Sequence, residues 1–392
     1  MPIRFLTAGE SHGPMLTTIL EGMPAGIPLD VDAINLDMAR RQKGYGSGGR
    51  MQIEKDGVRV TAGFMNGETT GGPIAMSLEN RDFKNWKEKD IVPITTPRPG
   101  HADLTGALKY GYRELRLSLE RASARETAMR VAVGAVCKQF LAQFGIEILG
   151  YVTQIGAIKA QIGENPDYRA LFACAESNDV RSPDAVAAEE MHAEIRQAKI
   201  DKDTLGGVFE VIALNVPPGL GSHVHYDRRL DAKLVAMMTS IQAMKGAEIG
   251  HAFDNAGKPG SQVHDHMEPD GNGGIQRRTN RAGGLEGGIT TGDPIIVRIA
   301  MKPISTMLQG ADTVDLATGE AERTVYERSD FCAVPRAVPV GEAMMAIALT
   351  DALIEKLGGD SLAEMRPRFE NLPRNTFADL PMDNVEWRFG YE

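Results

Sequence analysis

A chain of 392 residues, 42% of them apolar and 24% charged, carries enough apolar material to bury a sizeable core, which excludes disorder as its dominant state. Its 43 Lys and Arg against 53 Asp and Glu leave a formal net charge of −10, which argues against a nucleic-acid partner. Any anionic ligand must therefore be held by a local cluster of Arg and Lys. Cys137, Cys174 and Cys332 lie far apart with no CxxC pair, so neither a disulfide framework nor a Cys-based zinc site is expected. The start MPIRFLTAGESHG has no apolar h-region, and no run approaches about 18 uncharged apolar residues, so we expect a cytoplasmic protein with no membrane segment.

In chain order, strand-like runs fall at 3–8 and 15–21, followed by a helix over 32–42 that carries Ile34, Met38 and the pair Arg40-Arg41. Further strands are expected at 58–64 and 74–78. A long helix starts at Ser123, with Met129, Val133, Val136, Phe140, Leu141 and Phe144 at helical spacing and Gly145 as its stop. Strands at 146–155 and 208–216 follow, then a second long helix from about 227 to 246, a strand at 294–301, and a third helix from 340 to 358. The segment from about 362 to 392, with Pro367, Pro373 and Pro381, reads as an irregular arm. Strands and helices do not alternate regularly, so the fold class is α+β, in a single domain spanning 1–392. Glycines cluster at 44–49 and again at 271–292, where eight of them point to ordered loops that approach a ligand.

Three motifs invite chemistry. Gly9-Glu10-Ser11-His12-Gly13 matches a nucleophile elbow, but an elbow leads into a helix, whereas Pro14 and MLTTIL read as a second strand. What remains is a Ser and a His on a tight turn, suited to setting a hydroxyl and an imidazole against a ligand. Gly44-Tyr45-Gly46-Ser47-Gly48-Gly49 contains a dinucleotide fingerprint, yet it follows a helix instead of a strand, so it reads as a basic flap flanked by Arg40, Arg41, Lys43 and Arg50. Ser123-Ala124-Arg125-Glu126 reads as a capping box. Its plain meaning is a well-started helix; the same start also offers N–H groups and the Arg125 guanidinium to an anion.

With these pieces in place, the sequence resembles the chorismate synthase family. The likeness runs from about Gly9 to Leu349 through GESHGPMLTTILEGMPAG, RRQKGYGSGGRM, PRPGHADLTGALKYGYRELRLSLERASARETAMRVAVGAV, SIQAMKGAEIGHAF, GGLEGGITTGDPIIVRIAMKPIST and RSDFCAVPRAVPVGEAMMAIAL. The resemblance implies a 1,4-elimination of phosphate from 5-enolpyruvylshikimate 3-phosphate that gives chorismate, with reduced FMN required but no net redox change. It also implies a β-α-β sandwich assembled as a homotetramer, with an external flavin reductase or NADPH as the source of electrons. A flavin-dependent oxidoreductase acting on an anionic substrate is the alternative, and it would use the same cofactor residues.

Carried over by position, the resemblance places FMN against Ser123, Ala124 and Arg125, against Gln242 and Ala243 in the second helix, and against Gly287, Lys302, Pro303, Ile304, Ser305, Thr306 and Arg328. Arg41, Ser47 and Arg50 match positions that face substrate or NADP; Ser47 stands where family members with this loop usually carry Arg. His12 is implied to serve the leaving phosphate and His101 the flavin. Asp330 is implied to help the flavin take the ring proton, with Ser11 and Ser123 supporting it. The other histidines, His192, His223, His225, His251, His264 and His266, lack carboxylate or Cys partners at ligand spacing, so no metal is expected.

Overall fold

The computed structural model describes residues 2–47, 56–163, 166–324 and 329–390. Arg50 and Arg328 lie outside the described residues. Strands β1 (Arg4–Ala8), β2 (Met15–Glu21), β3 (Arg59–Ala62) and β4 (Ile74–Glu79) form one sheet in the order β1-β2-β4-β3, every pair antiparallel. A second antiparallel sheet joins β5 (Glu147–Ile155), β6 (Ile158–Lys159), β7 (Gly207–Leu214), β8 (Met244–Ile249) and β9 (Ile295–Met301) in the order β8-β9-β7-β5-β6. The period-2 pattern decides which face is covered: on β2, Leu16, Thr18 and Leu20 are buried while Met15 and Ile19 face out.

The helices of seven residues or more among the described residues are α1 (Val31–Gln42), α2 (Asp103–Tyr110), α3 (Arg116–Ala122), α4 (Thr127–Ala142), α5 (Tyr168–Glu176), α6 (Ala185–Ile200), α7 (Leu230–Thr239), α8 (Val334–Leu357) and α9 (Leu362–Glu370). Asp30, Asp167, Asp184 and Ser361 cap four of them by accepting backbone N–H groups in the first turn. Helix α4 packs on the first sheet and on α8, and α8 packs on β5 and β7 of the second. Small residues make these approaches possible. A Cβ added to Gly134 of α4 would lie 2.2 Å from the Cβ of Ala343 in α8, and Gly341 of α8 leaves room for the Phe209 ring of β7.

The pattern of α8 is apolar on almost every side because it is the core helix. It is long and apolar enough to cross a membrane by length and composition, but 94% of its apolar window is buried inside the protein. The charge it does carry is matched: Glu342, fully buried, accepts from both Arg40 Nη atoms at 2.7 and 2.8 Å and from Lys138 Nζ at 2.6 Å.

Four expectations need correction. The helix expected from Ser123 opens as a 3₁₀ turn over Ala124–Glu126, and Glu126 turns away to Thr7, Arg130 and Gln242, so the capping box is only half formed. The helix expected over 227–246 stops at Thr239; Ala243 adopts a left-handed φ of 68°, and residues from Met244 onward pair with β9 as β8. The third long helix starts at Val334, with Pro335 in its first turn, several residues before the expected 340. The arm expected to be irregular from 362 begins as α9, because Leu362 and Met365 bury against the core; beyond Leu372 it is mostly exposed.

Candidate active site

The turn between β1 and β2 sets Ser11 and His12 against the end of α3, where the Ser11 backbone N–H donates to the Glu120 carbonyl at 3.1 Å. Asn80, just after β4, donates through Nδ2 to the carbonyls of Glu10 (3.2 Å) and Gly13 (2.8 Å), which fixes the turn's shape. Ser123 Oγ donates to Ser11 Oγ at 3.1 Å. His12 Nδ1 lies 2.7 Å from Glu120 Oε1, and its ring rests against Trp86 with centroids 4.2 Å apart. Across the opening, His101 Nδ1 lies 2.6 Å from Asp103 Oδ1, and Arg98 donates to Asp103 through Nε at 2.8 Å. Arg98 also donates to Thr306 Oγ1 at 3.1 Å, and Lys302 Nζ donates to the carbonyl of Gly100 at 2.8 Å. These two bonds tie the His101 loop to the segment after β9.

The cavity between them, open on one side, has a volume of about 490 Å³. Its described walls bring together Ser11, His12, Arg41, His101, Ser123, Ala124, Arg125, Gln242, Ala243, Lys302, Ile304, Ser305, Thr306 and Asp330 from positions spread over more than 300 residues. Pro303 is not on its wall. Gly287 sits in the turn of a small hairpin (Leu285–Glu286 with Ile289–Thr290) beside His223, away from this cavity. Ser47 lines a separate cavity with Lys43, Tyr45, Asp179 and Lys199.

The charge on these walls is one-sided. Among the described residues Arg41, Arg98, Arg125, Lys302 and Arg336 line the cavity, and Asp330 is the one carboxylate. Burial, with Arg336 and Arg125 close by, pulls Arg41 down to about 9, and burial together with Lys245 lowers Lys302. An anion entering the pocket would stabilise the charged forms of these two groups. Arg125, read from the sequence as part of a well-started helix or as an anion contact, is 5% exposed and donates to Asn80 and Asp56. Gln242 shows a second unmet need. Its Nε2 donates to Glu126 at 3.0 Å, while its buried Oε1 has no partner among the described residues. The wall thus offers both cations for phosphate and an acceptor for a ligand N–H, which suits a flavin nucleotide.

Sequence reading missed Arg98, Asp103, Glu120, Arg336, Asp56 and Trp86. Asp103 had a local signal, two residues after His101 in RPGHAD; Glu120 stands 108 residues from His12 and had none. Among the described residues no group of three or more His, Cys, Asp or Glu is placed to hold a metal ion.

A family model described as chorismate synthase matches residues 3–354, nearly the whole chain. The chain belongs to the chorismate synthase family. The chorismate synthase of Aquifex aeolicus is 52% identical over 385 residues, covering 94% of this chain and 97% of the relative. That of Syntrophotalea carbinolica is 53% identical over 377 residues, again covering 94% and 97%. A crystal structure of chorismate synthase superimposes with a TM-score of 0.79 at 46% identity, covering 95% of this chain and 97% of the other. Family membership makes the chain a lyase, and it supports the α+β class.

Proposed function

We propose that this chain eliminates phosphate from 5-enolpyruvylshikimate 3-phosphate to form chorismate, the last common step of the shikimate pathway to aromatic amino acids, with reduced FMN bound in the same cavity. One observation carries the reading: His12 and His101 line a single cavity whose described residues include five cations and one carboxylate, in a chain of net charge −10. A substrate with one phosphate and two carboxylates, beside a phosphorylated cofactor, needs that local reversal of charge.

In this reading FMN is held by Ser123, Ala124, Arg125, Gln242, Ala243 and the Lys302-to-Thr306 segment, with Gly287 and Arg328 added by family resemblance. When bound, the reduced flavin supplies electron density that eases departure of the phosphate and is recovered at the end of the turnover. The C–O bond breaks with its electron pair on the phosphate and a ring C–H yields its proton; the C–H pair forms one ring double bond while the existing double bond shifts to the carbon that lost the phosphate, leaving a conjugated diene. His12 gives the Nε2 proton to the departing phosphate oxygen, and His101 supplies a proton on the flavin side. In this reading Asp330, paired with Arg336, helps the flavin take the ring proton, and the hydrogen-bonded Ser11 and Ser123 hydroxyls support it. The cations hold the anionic ends of the substrate and keep water from competing for them.

The reading extends to a single-domain β-α-β sandwich, a homotetramer in the cytoplasm, and an external flavin reductase, since Ser47 replaces a cation in the flap where Arg41 and Arg50 would face NADP. The deciding experiment supplies the enolpyruvyl substrate anaerobically with chemically reduced FMN and follows phosphate and chorismate. Chorismate formed without stoichiometric flavin oxidation is the expected outcome; net flavin oxidation would favour an oxidoreductase instead. Steady aerobic turnover with only NADPH and FMN would remove the need for an external reductase.

A further inference from the structure

Both histidines of the cavity meet a carboxylate through the same ring nitrogen. Glu120 takes the Nδ1 edge of His12 with Oε1 and the His12 backbone N–H with Oε2, each at 2.7 Å. Asp103 takes the Nδ1 edge of His101 with Oδ1 at 2.6 Å, while its Oδ2 accepts from the Arg98 backbone N–H at 3.0 Å. The two carboxylates come from neighbouring helices: Asp103 opens α2 and Glu120 lies in α3. Gly106 lets these helices close up, since a Cβ there would sit 2.2 Å from Ser118 Oγ. One short helical pair thus serves two histidines that stand 89 positions apart in the sequence and line one cavity.

We propose that Glu120 and Asp103 are positioning residues that keep Nδ1 of His12 and His101 engaged, so that the proton each ring exchanges in the cavity is the one on Nε2. The physical reason is tautomer control. A carboxylate at Nδ1 accepts the N–H there in both the neutral ring and the imidazolium, which leaves Nε2 as the site that gains or loses a proton. The carboxylate side chains are 13% and 1% exposed, so water cannot easily take their place. Burial alone would raise both acids, but the bonds from His12 hold Glu120 below its ordinary range, and those from His101 and Arg98 hold Asp103 well below it. Both therefore remain acceptors at neutral pH. Among the described residues, Glu120 lies against His12, with Arg116 3.7 Å from Glu120 and its guanidinium 5.2 Å from the Trp86 ring centre; Asp103 and Arg98 lie against His101, and Lys302 donates to the neighbouring Gly100 carbonyl. The two sites share the carboxylate at Nδ1 but differ in one respect: Arg98 Nη2 also lies 3.1 Å from His101 Nδ1 and 3.5 Å from its Nε2. The shared carboxylate fixes one ring edge at each site, as proton donation requires.

The inference rests on the proposed reaction, and its test separates the two. Glu120→Gln and Asp103→Asn are made singly and in combination with His12→Ala and with His101→Ala, in full-length protein whose thermal melts verify folding. Each single variant should lower kcat about ten- to a hundredfold with KM changed less than about threefold, and should move the alkaline limb of the kcat profile to lower pH. The crossed pairs carry the decision. Glu120→Gln should cost nothing further in His12→Ala yet its full loss in His101→Ala, and Asp103→Asn should show the reverse. Losses that multiply in every background, or wild-type kcat in Glu120→Gln, would overturn the proposal. The Glu120 cycle decides by itself if Asp103→Asn does not fold. Imidazole ¹⁵N shifts of histidine-labelled protein need no turnover and should show Nδ1–H on both rings in wild type, lost on one ring in each variant. A wild type that makes no chorismate would sink the assigned reaction, while those shifts would still judge the pairing.

Discussion

The Arg125 guanidinium donates through Nη1 to both carboxylate oxygens of Asp56, at 2.8 Å each, with side chains only 3% and 0% exposed. Arg41 adds a longer contact to the same carboxylate at 3.5 Å. An exposed first-turn arginine would lose a few tenths of a kcal/mol at most on truncation. Arg125→Ala instead strands a buried carboxylate, so we expect a loss of roughly 3 kcal/mol or more in urea unfolding at neutral pH, eased somewhat by Arg41. Removing both charges together, in Arg125→Met with Asp56→Leu, should recover only part of that stability, because buried Arg41 then loses the same carboxylate. FMN affinity should fall in both. A single variant as stable as wild type would show that Asp56 finds its charge balance elsewhere.

His12→Ala and His101→Ala should each lower turnover on the order of 10²-fold or more, the scale of general acid–base catalysis. FMN affinity should survive better in His12→Ala, which sits on the phosphate side, than in His101→Ala. Anaerobic turnover with chemically reduced FMN, alongside flavin titrations, measures both quantities. Wild-type turnover in either variant removes that imidazole from the chemistry.

Glu342 predicts how the fold responds to acid. Burial alone would raise this carboxyl; Arg40 and Lys138 overcome that and bring it down to about 2, against an ordinary value of 4.5. A depressed folded-state pKa contributes stability that is present above about 4.5 and is lost as pH falls toward 2. The contribution is of order 3 kcal/mol at neutral pH. Glu342→Gln should therefore be markedly less stable than wild type at pH 7, and the gap should narrow between about pH 4.5 and pH 2. Denaturant melts across that window test it; a gap independent of pH would mean that the charge of Glu342 contributes nothing.

Gly134 sets helix propensity against packing. Alanine is the better helix former by about 1 kcal/mol, so propensity alone favours Gly134→Ala. The added Cβ would meet the Ala343 Cβ at 2.2 Å and its backbone Cα at 2.4 Å, neither of which can swing aside. We expect packing to win and the variant to lose about 1–3 kcal/mol, read as a lower thermal midpoint. A raised midpoint would mean that α4 and α8 separate without strain.

Much of this protein was legible in its sequence because the signals are local. Strands at 15–21 and 146–155 and the helix over 32–42 follow from short-range apolar periodicity, and the histidines His12 and His101 sit in motifs that carry the family resemblance. Periodicity misled where backbone geometry and long-range pairing overrode it. The apolar spacing through Met237, Met238 and Ile241 suggested a helix to 246, but the left-handed turn at Ala243 and the ladder to β9 made residues 244–249 a strand. Membership of one cavity could not be read from spacing at all. Glu120 reaches His12 across 108 residues, Asp56 buries Arg125 across 69, and Thr306 meets Arg98 across 208. Sequence determined which groups were available for acid–base work and anion binding. Only the packing of the helices against the sheets decided which carboxylate would face which cation or imidazole, because such contacts depend on where the chain returns in space.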